Sequence, residues 1–475
     1  MDIQHITEQL DNLNTISSVL DVPENERSLM IQQMTDFTES FIAGLPTIKG
    51  YRTKQTGDLS IHDTPSPLNK ILEIYQNEVA ETGINAAAGT HLGYIPGGGI
   101  FTSALADFIV DITNPYAGVH FASPGAATIE NEVINWLKTI FSFPADAVGN
   151  LTSGGSISML IAFNAARDKY GIKNERILKS VIYASEQVHH SCQKALRILG
   201  LEDAIVRTIP MDEYHRMMTA PLAQQIEEDK NNGLTPFLVV ATAGTTDTGA
   251  IDPLNEIADI AERHNVWLHI DAAYGGFFIL TSRKELFKGI ERADSIIVDP
   301  HKGMFLPYGL GAVLIKDRQA VLHSNQYAAH YMQDAEKESL FLSPSNLSPE
   351  LTKHFRGLRM WLPLQIHGIE PFAACLEEKL VLVQYFRYIL LQNGFHVGPA
   401  PDLSVSYFWY PFESDCDEKN KALLQAIHSE GDVFLSSSII DNRFVIRIAI
   451  LAFRTKRFII DRAMSMILRC LDKVK

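Results

Sequence analysis

The chain has 475 residues, 46% of them hydrophobic, ample for a large core and roughly two or three domains. Its 41 basic and 56 acidic residues leave a formal charge of −15, which argues against nucleic acid or anionic membrane as principal partners. The polar start MDIQHITEQLDNLN lacks the apolar stretch of a secretory signal, and no apolar run is long enough to span a bilayer. Four scattered cysteines (Cys192, Cys375, Cys416 and Cys470) read as reduced thiols of a cytoplasmic protein.

Residues 1–85 read as helical. Apolar residues in SLMIQQMTDFTESFIAGLP recur at helical spacing and stop at Gly44 and Pro46, but the segment is too thin to bury its own helices. Residues 86–380 read as a large α/β domain. The runs SVIYAS, FLVVATAG, VWLHIDAA, SIIVDP and GAVLIKD are short and rich in Val and Ile, and stretches such as LNEIADIAERH between them have helical spacing. That alternation predicts a mostly parallel central sheet covered on both faces, with ligands gathered at the carboxyl ends of its strands. Residues 381–475 read as a small α+β domain: SVSYFWYP, DVFLSSSII and FVIRIAIL as strands, TKRFIIDRAMSMILRCLDKV as a closing helix.

The chemistry-bearing residues lie at the expected strand ends. Ser153-Gly154-Gly155-Ser156 precedes a helical stretch whose free N–H groups and positive end would receive an anion, although a plain glycine turn has the same look. In His269-Ile270-Asp271-Ala272-Ala273, a buried Asp271 needs a cationic partner such as a protonated pyridine nitrogen, with Ala273 small enough for a flat ring to lie on. A loop-capping role for Asp271 remains open. Lys302, in Asp299-Pro300-His301-Lys302, is placed to attack an aldehyde. His189 could stack on a heteroaromatic ring or be an ordinary surface histidine; with His190 and Cys192 it fits no common zinc spacing, so no metal is expected.

Taken together, HIDAAYGGF, ADSIIVDPHKG, FRGLRMW and DVFLSSSIIDNRFVIRIAIL resemble the group II pyridoxal-phosphate (PLP) amino acid decarboxylases, from about residue 30 to the C-terminus. The resemblance implies PLP fold type I, an α/β homodimer whose N-terminal helices wrap the partner subunit. It implies Lys302 as the Schiff-base lysine, Asp271 at the pyridine nitrogen, and His189 and Ala273 on the two ring faces. It places Gly154, Gly155 and Ser156 at the phosphate with Ser295, Asp299 and His301 nearby, and Thr246 near cofactor and substrate carboxylate. Tyr331, in HSNQYAAHYMQDAEKESLF, matches the loop tyrosine that protonates the α-carbon, with Tyr327 as a neighbouring decoy.

Two departures stand out. Asp299 replaces the asparagine common before Pro-His-Lys, and Ile95 falls where aromatic-specific members place a phenylalanine, between Tyr94 and Gly97 of the expected substrate pocket. The expected reaction is decarboxylation of an L-amino acid to its amine and CO2, with an aromatic or large apolar substrate favoured, since no basic residue lies between Ile95 and Phe101. The alternatives are an acidic amino acid decarboxylase, a decarboxylating aldehyde synthase (which Tyr331 opposes), a transaminase using Arg356 or Arg359, and a non-catalytic PLP-binding protein.

Overall fold

The computed structural model describes residues 2–325 and 342–475. At the N-terminus, helices α1 (Ile3–Ser17), α2 (Glu24–Gly44) and α3 (Leu68–Tyr75) bury none of their residues. α2 ends at Gly44, where the sequence places its stop. A two-residue strand β1 (Tyr51–Arg52), paired with β2 (Gly83–Ile84), ties this segment to the C-terminal part of the chain through Tyr51 N–H to Gly431 O.

The central sheet contains β3 (Val148–Thr152), β4 (Ser180–Ser185), β5 (Ile205–Ile209), β6 (Thr235–Thr242), β7 (Trp267–Asp271), β8 (Ser295–Val298) and β9 (Gly311–Ile315), in the order β3-β9-β8-β7-β6-β4-β5. Only β9 runs against its neighbours. The strands are apolar on both sides because both faces are covered. Val181, Tyr183, Val239, Ala241, Leu268 and Ile270 enter one core, and Ile182, Ala184, Leu238, Val240 and Trp267 the other. This is the period-two alternation of strand side chains. Helices α4 (Phe101–Thr113) and α5 (Pro124–Ile140) precede the sheet in the chain, and α5 packs on the first face with α8 (Thr219–Asn231) and α9 (Leu254–His264). The second face carries α6 (Gly155–Lys169), α7 (Ser191–Ile198) and α11 (Arg318–Asn325); the four-residue turn α10 (Pro300–Gly303) follows β8.

After α12 (Gly357–His367), the long α13 (Glu370–Gln392) serves two cores. Phe372, Leu376 and Leu380 join the large one, and Leu382, Val383, Phe386 and Leu390 a separate one. Position 380 therefore lies inside a helix, at the point where its buried side chains change core. The second core is completed by an antiparallel sheet, β10 (His396–Val397), β11 (Val405–Trp409), β12 (Ser436–Ile440) and β13 (Arg443–Ala449), with α14 (Cys416–Glu430) and α15 (Arg457–Val474). Among the described residues no helix is long and apolar enough to cross a membrane.

One buried ion pair fixes the edge strand that leads into the glycine turn. Lys353, its side chain fully buried, donates to Glu130 of α5 at 2.7 Å, to Asn150 Oδ1 at 2.9 Å and to Leu151 O at 3.0 Å on β3. Lys353→Met strands Glu130 without its countercharge, which costs about 3–5 kcal/mol in comparable buried pairs. The expected result is a lowered urea midpoint for the full chain; an unchanged midpoint contradicts it.

Candidate active site

Five strand ends open onto one cavity of about 360 Å3. β3 delivers Ser153 to Ser156, β4 leads to Gln187 and His189, β6 to Gly244 and Thr246, β7 ends in Asp271 with Ala273 beyond it, and β8 leads to Asp299, His301 and Lys302. The carboxyl edge is where a parallel sheet leaves a crevice, because the following loops diverge to opposite faces. α6 begins at the cavity with Gly154 at its N-cap, in a backbone conformation of φ 152° that suits glycine alone, and no side chain caps it. The N–H groups of a helix's first turn have no partner within the helix, so they are available to an anion.

Lys302 Nζ lies 3.1 Å from Asp299 Oδ2, and His301 Nε2 lies 3.7 Å from the same oxygen. Asp271 is 6% exposed and accepts the Ala273 N–H at 3.0 Å. Burial raises its pKa, opposed by the nearby charge of Lys302 and by that N–H. His189 Nδ1 accepts the Ser191 backbone N–H at 3.2 Å and is 2.7 Å from Ser191 Oγ, which leaves the ring proton on Nε2. Burial first, then His190 and Lys302, push its pKa down to about 4, so the ring is neutral at neutral pH. His301 is lowered as well, mainly by burial, and its Nδ1 donates to Leu310 O at 2.6 Å.

Some expected residues fall elsewhere. Ser295 stands at the opposite end of β8, fully buried, with its Oγ held by Trp267 Nε1–H and His269 Nδ1 at 2.8 Å each; it does not line the cavity. Ser295 is the first residue of β8 and Asp299 directly follows its last, so the two stand at opposite ends of the strand. None of Tyr94, Ile95 and Gly97 lines the cavity within this chain. Ile95 is buried in the large core, Tyr94 is 62% exposed, and Gly97 lies against the carbonyls of His301 and Lys302. Arg356 pairs with Glu350, and Arg359 with Asp107 at 2.8 Å and Tyr308 O at 2.9 Å, so both belong to the scaffold. Tyr331 and Tyr327 lie outside the described residues.

Several cavity neighbours escaped the sequence reading. Gln187 and Thr242 line it, and the Gln187 Oε1 and Thr242 Oγ1 atoms are buried with no hydrogen-bond partner. Arg447 of β13, 3% exposed, donates to the carbonyls of Thr246 and Asp247 and to Ser436 Oγ, fixing the β6 loop from the smaller sheet. Its signal was present in FVIRIAIL, an arginine inside an otherwise apolar strand, which demands a buried acceptor.

A phosphorylated, flat, cationic-ring aldehyde suits these features: an uncapped helix start, a buried carboxylate, a neutral imidazole and small Ala273, an amine, and buried polar atoms without partners. The profile of the pyridoxal-dependent decarboxylase conserved domain matches residues 51–410. The chain belongs to that family. It is 34% identical to an aromatic-L-amino-acid decarboxylase of Bacillus atrophaeus over 372 residues, 77% of each chain. It is 29% identical to an acidic amino acid decarboxylase of Homo sapiens, over 75% of this chain and 70% of that one. A crystal structure of Oryza sativa TDC with PLP and tryptamine shares the fold, with a TM-score of 0.89 at 21% identity over 95% of this chain and 99% of that one. The protein is thus a PLP-dependent carboxy-lyase of fold type I.

Below the cavity, His269 is fully buried, with Nδ1 on Ser295 Oγ and its edge against Phe163 at 5.2 Å. Burial lowers its pKa from 6.5 to about 3. The unfolded chain therefore takes up this proton first: the contribution to stability is complete above pH 6.5 and is lost as pH falls towards about 3. The slope is about 1.4 kcal/mol per pH unit. Denaturation at a series of pH values should show His269→Gln to be less acid-sensitive by this one-proton slope; parallel profiles for the two proteins contradict the assignment.

Proposed function

We propose that the cavity holds PLP with its phosphate on Gly154, Gly155 and Ser156, its aldehyde carbon at Lys302 and its ring nitrogen at Asp271. The reaction is removal of the α-carboxylate from an aromatic or other large apolar L-amino acid. The observation that carries this reading is that an anion cradle, a buried carboxylate and an amine face one cavity.

When bound, PLP supplies an electron-poor ring that takes up the electron pair released as the carboxylate departs. Everything else falls to the chain. Asp271, shielded from water, keeps a proton at the ring nitrogen through a charge-assisted hydrogen bond worth roughly 1.5–3 kcal/mol. His189, neutral and hydrogen-bonded to Ser191, covers one ring face, and Ala273 leaves room on the other. His301 and Asp299 stand at the phosphate side. Thr246, its carbonyl held by Arg447, stands by the substrate carboxylate. Lys302 is the amine that would hold the aldehyde carbon when the product amine has left. Tyr331 delivers a proton to the α-carbon; this role rests on the sequence alone.

The substrate assignment rests on charge. Among the described residues lining the cavity, Lys302 is the one lysine or arginine, and the aldehyde already engages it. A second carboxylate on the substrate would meet Asp271 and Asp299, with no arginine among the described lining residues to receive it. The Bacillus atrophaeus relative, named for aromatic substrates, points the same way.

We further propose a homodimer acting in the cytoplasm. α1 to α3 bury nothing within one chain, and apolar residues such as Leu10, Leu20 and Leu29 stand more than half exposed. A second copy would cover the 1–85 segment, leaving 86–380 as the PLP domain and 381–475 as the small domain.

Borohydride reduction of the loaded enzyme followed by peptide mapping should place the pyridoxyl group on Lys302; a label on another lysine refutes the site. A panel of L-amino acids assayed for CO2 and amine should rank tryptophan, tyrosine or phenylalanine above glutamate, aspartate and cysteine sulfinate. The reverse order refutes the substrate class.

A further inference from the structure

Asp299 carries a charge of the wrong sign for the phosphate end. It is 2% exposed; Oδ2 faces Lys302 and His301, while the buried Oδ1 has no hydrogen-bond partner. A Cβ placed on Gly155 would stand 3.2 Å from Oδ2 and 3.5 Å from Oδ1, so the carboxylate lies along the first turn of α6. On the β9 side, a Cβ on Gly311 would meet Oδ1 at 2.8 Å. Glycine at both positions is what lets a carboxylate approach the anion cradle this closely.

The charged and titratable groups around it are few. Lys302 and His301 come from α10, His189 from the loop after β4, Asp271 from β7, and Arg359 of α12 acts on His301 from farther away. Both imidazoles are held neutral by burial, and Asp271 is a second acid. Lys302 is therefore the one close cation, and it ceases to be a free ammonium once the aldehyde engages it. A phosphate dianion and the Asp299 carboxylate would then share a desolvated space, where like charges cannot both stay ionised.

We propose that Asp299 takes up a proton from solvent when PLP binds, and that its carboxyl O–H then donates to a phosphate oxygen. One proton leaves the solvent and one O–H bond forms on Asp299; no other atom changes hands. This rests on the phosphate placement proposed above. Such a bond to an oxyanion is charge-assisted and strong. An asparagine would donate a similar bond without titrating, so aspartate makes the grip on the cofactor depend on pH: binding weakens as pH rises.

The test uses the full-length apoenzyme, titrated calorimetrically with PLP or with pyridoxal in buffers of different ionisation heat, above the phosphate's second pKa of about 6. Wild type should take up one more proton with PLP than with pyridoxal, and D299N should show no such difference. Wild-type affinity for PLP should fall by up to tenfold per pH unit relative to D299N. The 31P resonance of bound PLP should be that of a dianion in both proteins. Equal proton uptake with the two ligands in wild type overturns the proposal, whether or not D299N folds. A monoanionic 31P signal also overturns it, because the proton then sits on the phosphate. Gly155→Val separates this from the underlying placement. If it weakens PLP but not pyridoxal while wild type shows no extra proton, the cradle stands and the Asp299 proposal falls. If it weakens neither, the phosphate lies elsewhere and both readings fail.

Discussion

Two carboxylates, Asp271 and Asp299, are buried at the carboxyl edge of an apolar sheet with Lys302 as their near cation. Burying one unpaired carboxylate is costly, and burying two side by side is worse. The surrounding structure reads as the means of meeting that cost. The Ala273 N–H relieves Asp271, the start of α6 lies along Asp299, and the two nearby imidazoles are kept neutral rather than cationic. What remains is a site short of positive charge, suited to a ligand that brings a cationic ring nitrogen to one carboxylate.

The sheet makes such an arrangement durable. Its strands are packed on both faces by side chains that alternate between two cores, so the strand ends cannot shift independently. Residues on five different strand ends are held in register by ladders such as Thr242 opposite Asp271 and Asp271 opposite Ile297. Burial of Lys353 against Glu130 and β3 extends the same rigidity to the turn that starts α6.

Much of this was legible in the sequence because it depends on local pattern. SVIYAS is β4 residue for residue, LNEIADIAERH is α9, and the strand ends name Asp271, His189 and Lys302 as cavity residues. What was not legible depends on register and on long-range pairing. The four-residue offset that sends Ser295 to the far end of β8 cannot be seen in ADSIIVDPHKG without knowing where the strand begins. That β9 runs antiparallel, that α13 divides its buried residues between two cores near position 380, and that Arg447 reaches Thr246 from about 200 residues away are properties of tertiary packing alone.

The turn carrying Lys302 is also held from outside the sheet. Tyr94 and Ile95 both adopt positive φ, 46° and 55°, which for a β-branched isoleucine costs of order 1–3 kcal/mol. That strain has a local reason. It delivers Gly97 so close to the His301 and Lys302 carbonyls that a Cβ there would stand 2.3 Å and 2.9 Å from their oxygens. The Gly97 carbonyl in turn accepts the Phe453 N–H at 3.3 Å, and Arg454 holds Gly98 O at 2.9 Å. With Arg447 on the opposite side gripping Thr246 and Asp247, the C-terminal part of the chain clamps both the lysine turn and the β6 loop. The cavity is therefore not a property of the large sheet alone. Its geometry depends on how the two cores are docked, and α13, β11 and β13, which each bury side chains in both, are the members that span them.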